Sequence, residues 1–175
     1  MTRREWIGAG SVVAIAAIIA GRFALSGPSS GAAQESFPFE LSEAQWRDRL
    51  SPEAYTVLRE GGTETPYTSD LLAEKRVGTF ACAGCDQPLF DSQAKYDSRT
   101  GWPSFWDVIP DAVVERDDYT LGMSRIELLC DNCGGHLGHV FGDGPEPTGL
   151  RYCINGAALA FQPKEDGKRE EEQAA

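Results

Sequence analysis

Apolar and polar positions follow three different rhythms along this chain. From Ile7 to Gly21 the run is apolar or small and carries no charge, with Arg3-Arg4 ahead of it and Arg22 behind it. Between Leu41 and Leu58 the large apolar residues recur at helical spacing. Ser42 with Gln45 forms a capping-box pattern ahead of Trp46 and Leu50, which predicts a helix over roughly 43–50. Ser51-Pro52-Glu53 is a second start, with Ser as N-cap, Pro at the first helical position and Glu in the first turn. That helix carries Tyr55, Val57 and Leu58 and stops at Gly61-Gly62. A further short helix is expected from Asp70 to Arg76.

From Val77 onward the pattern shortens to segments that partly alternate and are rich in β-formers: Gly78–Cys82, Pro88–Phe90, Val113–Arg116 and Ser124–Leu129. Turn-forming pieces separate them, among them Cys82-Ala83-Gly84-Cys85-Asp86, Cys130-Asp131-Asn132-Cys133-Gly134-Gly135 and Gly142-Asp143-Gly144-Pro145. The expectation is a mostly β, antiparallel domain with a small helical prelude, spanning residues 34–163. Residues 34–40 read as a linker into it. Lys164–Ala175 is a mixed-charge polar tail, expected to be disordered. No internal repeat is visible apart from the two Cys-x-x-Cys knuckles.

The first rhythm differs in kind. Paired arginines, a short uncharged apolar run and then small residues have the layout of a bacterial export signal over residues 1–33, and Arg3-Arg4 resembles the twin-arginine version. Gly31-Ala32-Ala33 offers a small-residue cleavage site. The alternative is an uncleaved N-terminal anchor, although the run falls short of the roughly 20 residues that span a bilayer. No cysteine stands near it, which excludes a lipoprotein anchor. The expected location is the periplasm, the alternative a membrane-anchored protein facing the periplasm, with residues 1–33 as the only membrane contact.

Composition narrows the function classes. At 175 residues the chain can bury a core without staples, so its five cysteines need another reason. A net charge of −11 argues against a nucleic-acid partner, which requires clustered Lys and Arg. Without residues 1–33, three basic residues and one acidic are lost, leaving 13 basic and 26 acidic and a net charge of −13.

Cys82-x-x-Cys85 and Cys130-x-x-Cys133 each point two sulfurs at one locus, and together they give the four-thiolate set preferred by structural Zn²⁺. Two disulfides, or iron in the same cage, are the alternatives. Cys153 is then alone. It reads either as a nucleophile, with Arg151 nearby to favour the thiolate and Asn155 two residues on along an extended segment, or as a small buried hydrophobe. The chain's two histidines, His136 and His139, follow the second knuckle directly; metal ligation and plain hydrogen bonding in a turn are the other readings. Trp102 is core by default, or an aromatic wall for a small apolar group.

Four ordered segments carry a resemblance. Cys82-x-x-Cys85-x-x-Pro88-Leu89-Phe90, Gly101-Trp102-Pro103-Ser104-Phe105, His136-Leu137-Gly138-His139-Val140-Phe141 and Gly149-Leu150-Arg151-Tyr152-Cys153-Ile154-Asn155 resemble the B-type methionine sulfoxide reductases, the peptide-methionine (R)-S-oxide reductases. The similarity runs from about Phe39 to about Pro163. It implies a mostly antiparallel, Mss4-like β fold with helices near its start. It further implies Cys153 as catalytic thiol and Cys82, Cys85, Cys130 and Cys133 as ligands of a structural zinc. His139, Asn155 and Trp102 fall on active-site positions, with His136, Phe141 and Arg151 close by. Chemically, His139 would handle the proton with Asn155 orienting it, while Trp102 and Phe141 pack the substrate methyl. Many members carry a resolving cysteine where this chain has Thr100. The expectation is therefore a single-cysteine mechanism, in which oxidised proteins or peptides are the substrate and a thioredoxin-like protein or other external thiol is the reductant.

Overall fold

The computed structural model describes residues 36–120 and 122–164; the expected export signal and nearly all of the polar tail lie outside the described residues. Two helices come first. In α1 (Glu43–Arg49) the capping box forms as expected, Ser42 accepting from the Gln45 amide and Gln45 accepting from that of Ser42. In α2 (Pro52–Glu60) Ser51 caps the start, and Gly61 ends it in the left-handed conformation that glycine adopts at least cost. The helix expected from Asp70 to Arg76 is only a single 3-10 turn, Asp70–Leu72. Beyond it the Arg76 amide and guanidinium both bond the Glu74 carboxylate, a local side-chain alternative to helical backbone bonding.

Among the described residues, nine antiparallel strands follow: β1 (Gly78–Cys82), β2 (Pro88–Asp91), β3 (Lys95–Tyr96), β4 (Ser104–Phe105), β5 (Val113–Asp118), β6 (Arg125–Cys130), β7 (His136–Phe141), β8 (Arg151–Ile154) and β9 (Leu159–Pro163). They form a three-stranded sheet in the order β2-β1-β9 and a six-stranded sheet in the order β3-β4-β8-β7-β6-β5. The mostly β, antiparallel class read from the sequence is the class observed. Phe80 and Phe90 of the smaller sheet meet Phe105 of the larger one, with Phe90 stacked on Phe105 at 4.3 Å between ring centroids. All three are fully buried, and each contributes about 2–3 kcal/mol of transfer free energy to the core.

The period of two along β8 decides what reaches solvent. Tyr152 and Ile154 are buried in the core, whereas Arg151 and Cys153 are partly exposed on the opposite face of the six-stranded sheet. Residues expected to be only a linker do more than connect: the Phe39 amide donates to Asn132 O at 2.8 Å in the second knuckle, and the ring of Phe37 packs where a Gly134 side chain would stand.

Candidate metal centre and active site

The knuckles bring β1 of one sheet and β6 of the other to a common point. The sulfurs of Cys82, Cys85, Cys130 and Cys133 all lie within 4.8 Å of one another, with Cys82–Cys133 at 3.8 Å and Cys85–Cys130 at 3.5 Å. Four sulfurs in tetrahedral array about 2.3 Å from Zn²⁺ stand about 3.8 Å apart, so donor set and spacing fit a closed structural zinc. A disulfide needs sulfurs at about 2.05 Å, and all five cysteines are free. The helices lock this centre from outside. Arg49 donates to Gly84 O of the first knuckle, and Arg59 to Cys133 O of the second. Leu58 sits against both Gly84 and Gly135, leaving no room for a side chain at Gly135. Neither histidine joins the cluster, so the ligand reading for His136 and His139 falls away.

Cys153 occupies the middle of the six-stranded sheet, directly between Ser104 on β4 and His139 on β7, while His139 in turn faces Glu127 on β6. Residues paired across neighbouring strands share a face, so the thiol and imidazole project to the same side. They line one pocket with Thr63, Trp102, Arg125, Phe141 and Asn155. Cys153 is neither sealed nor free. Burial pushes its thiol up from the ordinary value, against hydrogen bonding from Thr100 and the charge of Arg151. Thr100 Oγ1 lies 3.9 Å from Cys153 Sγ and continues through Ser98 to Ser104, a run of hydroxyls with bonds of 2.7–2.8 Å.

The histidines are held by acids that sequence reading did not single out. His139 Nε2 bonds Asp118 Oδ2 at 2.8 Å, and His136 Nδ1 bonds Glu127 Oε1 at 2.7 Å. A carboxylate only accepts, so Asp118 fixes a proton on Nε2 of His139 and leaves Nδ1 with no partner among the described residues. The amide and hydroxyl of Thr120, then His139 and Arg125, hold the Asp118 carboxyl well below the usual carboxylate range. Burial lowers His136, partly offset by Glu127. His136 does not line this pocket and stands edge-on to His139, with ring centroids 5.5 Å apart.

Asn155 is a correction. It lines the pocket, but its amide is spent elsewhere: Nδ2 donates to Leu137 O at 3.0 Å, and Oδ1 accepts from Glu64 N at 3.0 Å. Asp118 and not Asn155 orients the imidazole. Glu64, also unforeseen, is a buried knot. Its carboxylate accepts from the amides of Gly156 and Ala157, and its carbonyl accepts from the Trp102 indole at 3.2 Å. Trp102 is thereby tied to the end of the strand that carries Cys153. Arg151 pairs with Asp143 at 2.8 Å and lies over the Phe141 ring at 4.4 Å, which places both at the pocket's edge.

A family model described as the SelR domain matches residues 50–163. A peptide methionine sulfoxide reductase MsrB of Agrobacterium fabrum is 54% identical over 123 residues, covering 70% of this chain and 91% of that protein. The MsrB of Methanosarcina barkeri is 52% identical over 134 residues, covering 76% and 94%. That of Thiobacillus denitrificans is 56% identical over 125 residues, covering 71% and 95%.

Proposed function

From the premise that the chain belongs to the SelR-domain family, that of the peptide methionine sulfoxide reductases, we propose that it repairs oxidised proteins by reducing methionine R-sulfoxide through attack of Cys153. The observation that carries this reading is the cross-strand row: one thiol in an open pocket, flanked directly by an imidazole whose outer nitrogen is fixed by an acid. The sulfoxide sulfur is electrophilic. Cys153 attacks it as its thiol proton passes to the free Nδ1 of His139, and Nδ1 then hands that same proton to the departing oxygen. In balance, sulfoxide and thiol give thioether and Cys153–S–OH: the substrate sulfur gains two electrons and the cysteine sulfur loses two. Trp102 and Phe141 form the apolar wall for the methyl group, and their fixed placement selects the epimer. The zinc contributes no step; Cys82, Cys85, Cys130 and Cys133 hold it to fasten the two sheets and the start of β7.

Regeneration needs an external thiol. The four zinc cysteines are committed to the metal, and the position 3.9 Å from Cys153 is a threonine. Two equivalents of thiol, or one dithiol protein of thioredoxin type, reduce Cys153–S–OH to the thiol, releasing water and a disulfide. The chain works in the periplasm after export by residues 1–33, folded and metal-loaded before it leaves the cytoplasm. A reporter that matures only when folded tests this: fused to residues 1–33 it is exported, and Arg3→Lys with Arg4→Lys abolishes the export. The catalytic reading is tested by assaying R and S sulfoxides separately, on peptide and on free amino acid. Turnover of the R epimer alone, with peptide preferred, supports it; turnover of S alone refutes it.

A further inference from the structure

Among the residues that wall the pocket, Arg125 alone brings a permanent positive charge and donors with nothing to bond. It opens β6, two residues before Glu127 and therefore on the same face as the row through His139 and Cys153. One corner of its guanidinium is anchored: Nη2 donates to Asp118 Oδ2 and reaches Thr120 Oγ1. The rest is not. Nε is buried without a partner, and Nη1 makes no hydrogen bond among the described residues. The side chain is only 19% exposed, so water does little to compensate. An unpaired buried donor is costly, and natural proteins keep few of them without a use.

We propose that Arg125 is a substrate-binding residue whose unpaired guanidinium N–H donates to the sulfoxide oxygen; this rests on the reductase reading above. A sulfoxide oxygen carries much of a negative charge and can only accept. The thioether product has no comparable acceptor, so the contact distinguishes what must bind from what must leave. Holding the oxygen also draws electron density from sulfur, which favours attack by Cys153. Arginine keeps its proton at any working pH, so proton delivery stays with His139 and the electron balance of the step is unchanged. Asp118 serves both partners, since one of its oxygens faces His139 and Arg125 together and sets the acid and the donor in fixed relation.

The test uses the zinc-loaded enzyme with an R-sulfoxide peptide and, as product, the same peptide carrying unoxidised methionine. Arg125→Met and Arg125→Lys are both made; the lysine retains the charge opposite Asp118 but lacks the planar fork. Zinc content and the rate of Cys153 alkylation report an intact site. The expected result is a fall in kcat/KM of about 10²-fold or more in each variant, while the inhibition constant of the unoxidised peptide moves by less than about twofold. A kcat/KM within about twofold of the parent overturns the assignment, and so does parallel weakening by the product peptide, which would make Arg125 a scaffold only. Absence of R-sulfoxide turnover in the unmodified enzyme refutes the reductase reading itself, which separates the two failures.

Discussion

At the knuckles, each cysteine has other sulfurs for neighbours, two pairs standing at 3.5 and 3.8 Å, and arginines from the helices close the cage by bonding its backbone. On the outer face of the larger sheet, Cys153 has a hydroxyl on one side, an imidazole on the other and a pocket in front. The five residues are chemically identical, and the fold gives them opposite fates through their neighbours. Where sulfurs surround a sulfur, a metal takes them and reactivity ends. Where a sulfur stands alone beside a proton carrier, it can attack. The first arrangement holds together the strands that make the second, because the knuckle that ends in Cys133 leads straight into β7 and its histidines.

The sharpest way to break this contrast is to exchange the fates. Structural zinc is worth on the order of 10 kcal/mol in small metal domains, against a total stability of about 5–15 kcal/mol for a domain. Cys130→Ser or exhaustive chelation should therefore melt the fold, seen as loss of the thermal transition, and take the activity with it. Cys153→Ser should instead lower turnover by about 10³-fold or more with zinc content and thermal midpoint unchanged. Next in size, His139→Asn should cost about 10²–10⁴-fold in kcat, and Asp118→Asn, which leaves the ring but frees its orientation, about tenfold to hundredfold. Asn155→Ala should act chiefly on stability, by about 1–3 kcal/mol, because its amide bonds backbone and not the imidazole.

A smaller effect sharpens the description of the thiol. Burial raises Cys153, so its thiolate fraction at neutral pH is below that of a free cysteine. Its alkylation by iodoacetamide should climb about tenfold per pH unit and show no plateau below about pH 8.5. A plateau at neutral pH would mean that Arg151 and Thr100 outweigh burial. Finally, Thr100→Cys places a second thiol beside the first. After one turnover the introduced thiol should be found on mapping in a disulfide with Cys153, and the preferred reductant should shift towards dithiol proteins.

Both helices and their caps were legible in the sequence, because Ser42, Gln45, Ser51 and Gly61 act over three or four residues. The four-sulfur centre was legible for the same reason, since each knuckle is a local device, although the two-disulfide alternative fell only with the sulfur spacing. Cys153 stood out as the cysteine left over. What escaped was whatever depends on register between strands. Asp118, Arg125 and Glu127 sit on β5 and β6, on other strands than the histidines, and only the cross-strand pairing brings them together. The signal they left was faint: a run of four charges, Glu115-Arg116-Asp117-Asp118, at the end of one expected strand, and Arg125-x-Glu127 alternating within the next. Asn155 misled for the opposite reason, as proximity to Cys153 in the chain suggested a shared task, while the turn after Ile154 directs its amide to Leu137 and Glu64.

The most direct measurement is chemical trapping. Zinc-loaded enzyme, given one equivalent of an R-sulfoxide peptide without reductant and then dimedone, should carry a single adduct, mapped by peptide mass analysis to Cys153, with one methionine formed per adduct and the zinc retained. An adduct on any knuckle cysteine, or methionine formed with Cys153 unmodified, would contradict the account.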